Sequence, residues 1–122
     1  FAILALIVSS LTYSHHAMDP KDGTPIELTG TIDYISWDGA HVMYRIRSKG
    51  AAGETKVWQV LGASPKVLST RQITKSTLKV GEQITVNGSY NQYRNEIAPY
   101  YFMTADGDRY EMGYYPPTTP RK

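Results

Sequence analysis

Cysteine is absent from this chain. Its absence excludes disulfides, a thiol nucleophile, thiolate zinc sites and cysteine-ligated clusters. It leaves the compartment open, because an exported bacterial domain can dispense with disulfides. Neither sign of charge dominates: 13 basic residues stand against 11 acidic ones, for a net charge of +2. That balance does not mark a nucleic-acid-binding protein. Phe and Trp are scarce at two each, whereas there are ten Tyr. Tyr joins an apolar body to a polar tip and serves both half-buried strands and contact surfaces. The common catalytic signatures are missing as well. The sequence has no G-x-S-x-G elbow, no phosphate loop and no dinucleotide fingerprint. Its carboxylates are scattered over predicted turns and strand ends. Asp106-Gly107-Asp108 lacks the rest of a calcium loop and reads as a hairpin turn. The sequence therefore predicts a protein without enzyme activity.

A long apolar run occurs in one place. Residues 1–8 read FAILALIV, residues 9–14 (SSLTYS) are small or weakly polar, and no charge precedes Asp19. This is the plan of a secretory signal peptide or, if retained, of a membrane anchor. Cleavage near Ser14 would place His15 at a mature N-terminus. Retention, which is the expectation, sets Phe1, Ile3, Leu4 and Ile7 against lipid or a partner's transmembrane helices, since such a run left in water is an association hazard. Either way the expected location is the bacterial periplasm, with the chain anchored to the inner membrane.

Residues 15–25 are polar, rich in turn formers, and read as a linker. Residues 26–37 then alternate, with Ile26, Leu28, Gly30, Ile32 and Tyr34 on one parity, as a strand does. Gly30 inside that run suggests a bulge. Residues 41–47 alternate again, with Val42, Tyr44 and Ile46 on one face and Met43, Arg45 and Arg47 on the other. Residues 55–61 form a third predicted strand. At Ser64-Pro65 the pattern changes to an N-cap candidate followed by a first-turn proline. Val67, Leu68 and Arg71 follow at helical spacing, which predicts a helix over 64–72 with Val67 and Leu68 turned inward. Residues 83–90 and 97–105 read as the fourth and fifth strands, and 106–108 as a turn into 109–112. Three strands, a helix and two strands is the order of an OB barrel, in which the helix plugs one end. The predicted fold is mainly β: a five-stranded OB-like barrel over 26–112, with one short helix between strands 3 and 4. A hydrophobic segment (1–14) and a linker (15–25) precede it. A Pro-rich tail (113–122) follows, extended as polyproline II.

The histidines are the candidates for metal chemistry. His15 and His16 adjoin the cleavage point, and His41 opens the second predicted strand. Imidazole suits copper and zinc, and Met18, Met43, Met103 and Met112 suit Cu(I). Copper binding by His15, His16 and His41 is the alternative reading; the leading one has no cofactor. Basic and aromatic side chains on strands two and three (Tyr44, Arg45, Arg47, Trp58) would serve nucleic acid in some OB barrels. Core packing and a solvated face explain them better, and export argues against nucleic acid. The expected partners are protein subunits of a larger membrane complex, respiratory or photosynthetic in kind, and the bilayer itself. The contact candidates outside the N-terminal run are Tyr100, Tyr101, Tyr114, Tyr115, Pro116, Pro117, Arg121 and Lys122, because aromatic residues are enriched at interfaces and prolines lower the entropy lost on docking.

The order of motifs resembles that of the DUF6152 proteins, small exported bacterial proteins of unassigned function. The residues that carry the resemblance are His15-His16-Ala17, Gly30-Thr31-Ile32, Trp37 with His41, Trp58, Ser64-Pro65 with Leu68, and the run from Leu78 to Gly88 (LKVGEQITVNG). It spans residues 15–107. Asp38-Gly39-Ala40-His41 stands where the family has Asn-Pro-His, Ala17 replaces a Ser, and Gln72 replaces a Gly common after the helix. The Tyr-rich stretch 100–115 is not a feature of that pattern. The resemblance implies an exported OB-like domain and gives no reaction.

Overall fold

The computed structural model describes residues 23–114. They form six strands and one helix in the order β1 (Thr24–Ser36), β2 (Met43–Lys49), β3 (Thr55–Leu61), α1 (Pro65–Thr70), β4 (Gln83–Asn91), β5 (Glu96–Thr104) and β6 (Arg109–Glu111). The architecture is mainly β, as expected. The sheet order is β3-β2-β1-β4-β5-β6, and a short parallel pairing of β3 with β5 joins its two sides. Hydrogen bonds thus run in a ring through five strands. The ring closes at Gln59↔Glu96 and Val60↔Ile97. The sixth strand corrects the five-strand count. Residues 109–111 turn back from Asp106-Gly107-Asp108 and pair with β5 through Tyr101↔Glu111 and Met103↔Arg109.

The core fills the ring. Ile32, Val42, Tyr44, Ile46, Val60, Ile84, Val86, Ile97, Phe102 and Met112 are all fully enclosed. Tyr44 and Phe102 meet edge to face at 5.1 Å, the geometry favoured by the ring quadrupoles. The alternation predicted over 41–47 is present: Val42, Tyr44 and Ile46 are buried, whereas Met43 and Arg45 are half-buried and Arg47 is exposed.

β1 departs from its simple alternation. Its register against β2 slips between Ile32 and Tyr34, so Asp33 is the extra residue of a bulge. A bulge reverses the parity downstream. Tyr34, which simple alternation puts on the parity of buried Ile32, is 43% exposed, and Ile35 packs against the core in its place. Gly30 is not the bulge; it permits close approach. A Cβ on Gly30 would lie 2.6 Å from the Arg47 carbonyl oxygen. A second irregularity falls in β5, where Asn87↔Tyr101 is followed by Gly88↔Pro99 and Tyr100 is left over.

The helix forms where the sequence predicts it, over Pro65–Thr70 within the expected 64–72. Ser64 caps it, its Oγ accepting from the Val67 amide at 3.2 Å, and Pro65 opens it. Leu68 is fully buried, while Val67 packs half-buried against the same core. The helix ends as a Schellman motif: Gln72 N–H donates to Ser69 O and Ile73 N–H to Leu68 O, at 2.9 and 3.0 Å. Gln72 adopts φ 64° to do so.

Candidate functional site

The surface feature that gathers sequence candidates is a cleft of about 170 Å3 beside the start of β2. It is lined by His41, Leu61, Ser89, Asn91, Arg94, Glu96, Ala98 and Tyr114, among others. Backbone bonds fix one wall. Val42 N–H donates to Ala63 O and Gly62 N–H to Val42 O, at 3.0 and 2.8 Å. That pairing sets the His41 ring over the Gly62 carbonyl, with Nδ1 3.2 Å from the oxygen. A carbonyl oxygen only accepts, so Nδ1 carries the hydrogen and Nε2 of the neutral ring keeps a lone pair. Tyr114 meets the same ring edge on, with centroids 5.5 Å apart.

Tyr114 is held there by the helix end. Arg71 donates from Nη1 to the carbonyls of Glu111 and Gly113 at 2.8 and 2.7 Å. Met112 and Gly113 both donate to Tyr100 O. The opposite wall is the β4–β5 turn. Asn91 Oδ1 accepts from the amides of Tyr93 and Arg94, and Tyr90 Oη donates to Asn95 Oδ1 at 3.0 Å. Gln59 Nε2 donates to the Glu96 carboxylate at 3.4 Å. The cleft therefore combines an imidazole, a phenol, a guanidinium and a carboxylate around a small apolar floor of Leu61, Ile97 and Ala98.

Three aromatic–cation pairs lie outside the cleft: Lys56 stands over Trp58 at 5.0 Å, and the other two carry ion pairs as well. Arg45 stacks over Tyr34 at 4.7 Å and stands 3.9 Å from Asp33. Arg109 stacks over Tyr101 at 3.6 Å, its Nε 2.6 Å from Glu111 Oε2. The hydrogen bond to Glu111 holds the Arg109 guanidinium above its already high range. Both ion pairs are substantially exposed and each is worth little by itself.

Of the metal candidates, His41 lies in the cleft, and His15 and His16 fall outside the described residues. Among the described residues no group of three or more His, Asp or Glu could hold a metal ion. Met112, offered as a soft ligand, is fully buried in the core. Of the contact candidates, Tyr114 is in the cleft and 44% exposed. Tyr101 does not line the cleft and lies under Arg109, and Tyr100 is half-buried at the β5 irregularity. Phe1, Ile3, Leu4, Ile7, Tyr115, Pro116, Pro117, Arg121 and Lys122 lie outside the described residues. Tyr44, weighed for nucleic acid, is a core residue. Sequence reasoning missed Arg71, Arg94 and Glu96; only Arg71 carried any signal, as a helix-end cation.

A family model described as a family of unknown function, DUF6152, matches residues 4–98. The chain belongs to this family. Family membership covers the apolar run in part, β1 to β4, the helix and the first residues of β5. Tyr100, Tyr101 and Tyr114 lie beyond the matched stretch. No curated protein and no solved structure shows significant similarity to the chain.

Proposed function

We propose that this chain is a non-enzymatic accessory subunit that docks onto a larger membrane complex from the periplasmic side. Its N-terminal apolar run serves as the anchor. In this reading its described part is an OB-like barrel. The five-strand ring, the β3–β5 closure and a helix between β3 and β4 support that reading. The observation that carries the docking reading is the cleft at His41 and Tyr114. Its volume of about 170 Å3 falls below the roughly 300–1,000 Å3 typical of small-molecule sites. A cleft of that size suits a partner's inserted side chain better than a cofactor. Its Tyr and Arg beside an apolar floor are residue types enriched in contact hot spots.

The test is capture of the native complex. A photo-crosslinking amino acid at Leu61, introduced into the full chain in its own membrane, should give one discrete adduct with a membrane subunit. The adduct should vanish when Arg94 and Tyr114 are both replaced by Ala. Salt washing alone should not release the protein, whereas mild detergent should. A soluble periplasmic monomer beginning at His15, with no adduct, would refute the reading.

One observation favours the copper alternative. His41 donates from Nδ1 to a backbone carbonyl, the arrangement that orients metal-ligating imidazoles. Titration of the natively processed protein with Cu(II) separates the two. The docking reading expects no sub-micromolar site. A tight site lost in both His15→Ala and His41→Ala variants would replace it with copper binding.

A further inference from the structure

β1 serves two neighbours in succession. It pairs with β4 from Thr24 to Thr31 and with β2 only from Thr31 to Ser36. The last β1–β2 pair is Thr31↔Arg47, and beyond it the two strands part. Ser48 and Lys49 go on with β3, opposite Lys56 and Thr55. Between the parted strands lies a groove of about 530 Å3, lined by Thr29, Gly30, Thr31, Arg47, Lys49 and Gln83 among others. Gly30 stands at its apex, where a side chain would strike the Arg47 carbonyl.

Two strand edges therefore face the groove with no strand between them. On the β1 side, residues 24–30 have a strand neighbour on one flank only among the described residues. Pro25 has no amide hydrogen to offer, so the usable edge is Ile26 to Gly30. An edge of this kind is a template for strand addition. The two faces of the edge differ in chemistry. Ile26 and Leu28 pack half-buried against the core, so alternate side chains of an added strand would cover apolar surface. The groove itself offers the Thr31 hydroxyl, the Gln83 amide and the cations of Arg47 and Lys49, while the Thr29 hydroxyl already pairs with that of Thr85 at 2.7 Å. Neither cation forms an ion pair among the described residues. Of the carboxylates nearby, Glu54 Oε1 already accepts from the Ala52 amide at 3.0 Å, and Glu27 is exposed on the β1 edge itself.

We infer that the edge Ile26 to Gly30 accepts an extended segment of a partner protein as an added strand. Apolar and acidic residues alternate in that segment. Its apolar side chains cover Ile26 and Leu28, and its carboxylates meet Arg47 and Lys49. This inference rests on the docking reading above but uses a surface separate from the His41 cleft.

The probe is a fluorescein-labelled peptide of alternating Glu and Val, titrated into the full chain in mild detergent, with amide exchange followed residue by residue. Binding is expected, with slowed exchange confined to residues 26–30 and 48–49. The double variant Arg47→Gln/Lys49→Gln, which leaves the core untouched, should weaken binding about ten-fold, and an alternating Lys and Val peptide should bind at least about ten-fold less well than the Glu peptide. No binding, binding without protection at 26–30, or equal affinity for the Lys peptide overturns the inference. So does concentration-dependent protection of 26–30 without peptide, which would assign the edge to a second copy of this chain. In the captured native complex, unprotected amides at 26–30 would sink the added strand and leave the docking reading standing. Absence of any complex, together with peptide binding at the edge, would do the reverse.

Discussion

Gln72 holds a left-handed backbone conformation, φ 64°, at the position that closes the helix. A side chain there crowds the carbonyl that follows, whereas Gly adopts this region freely. Gln72→Gly is expected to raise stability by about 0.5–1 kcal/mol, measured by chemical unfolding. The resemblance to a family with Gly at this point made the position legible in the sequence. Tyr44 makes a second prediction. Burial pushes its hydroxyl well above the usual range, which is about 10 for an unperturbed phenol. The unfolded chain therefore releases this proton first as pH rises. The contribution of Tyr44 is complete below about pH 10 and is lost progressively above it. Tyr44→Phe keeps the edge contact with Phe102 and should flatten that alkaline decline in unfolding free energy. A wild-type decline that persists unchanged in the variant would remove Tyr44 as its source. At the cleft, His41 was legible as a strand-opening imidazole and Tyr114 as one of several contact tyrosines. Their meeting was not legible, because it depends on β6 and on Arg71, far apart in the chain.

The short helix shows how local signals suffice when they agree. Ser64, Pro65 and the spacing of Val67 and Leu68 specify its start and inner face, and the structure has Leu68 fully enclosed. Leu68→Ala is expected to lower stability by roughly 2–5 kcal/mol, whereas truncating half-buried Val67 should cost less, as urea titration of both variants would report. The strands were legible from alternation, and their ends differ from expectation by only a few residues. β1 is the instructive exception. Alternation alone cannot say where an extra residue enters, so the sequence pattern carries Tyr34 inward while the Asp33 bulge turns it out. At β6 the sequence predicts the arm of a hairpin but no sixth strand, since three residues carry too short a period to register. The pairing that closes the ring, Gln59↔Glu96 and Val60↔Ile97, left no mark in either segment, because register between distant strands is set by packing.

That closure governs how the chain folds. Gln59 and Glu96 are 37 residues apart in sequence, and the long β1 must find both β2 and β4. Loop-closure entropy is lost before these contacts form, which places refolding in the range of about milliseconds to seconds rather than microseconds. Stopped-flow fluorescence of Trp58, which meets Tyr90 edge to face at 5.6 Å, should follow it. A microsecond phase that recovers the full signal would contradict the dependence on ring closure. Arg71 has a separate bearing on the molecule as a load-carrying object. Its guanidinium grips the carbonyls of Glu111 and Gly113 on either side of buried Met112, while Ala63 N–H donates to Met112 O. Tension applied at Tyr114 is therefore delivered to the helix end and the core together. A strand as short as β6 would otherwise peel away one bond at a time; clipped in this way, it yields only after both Arg71 bonds break.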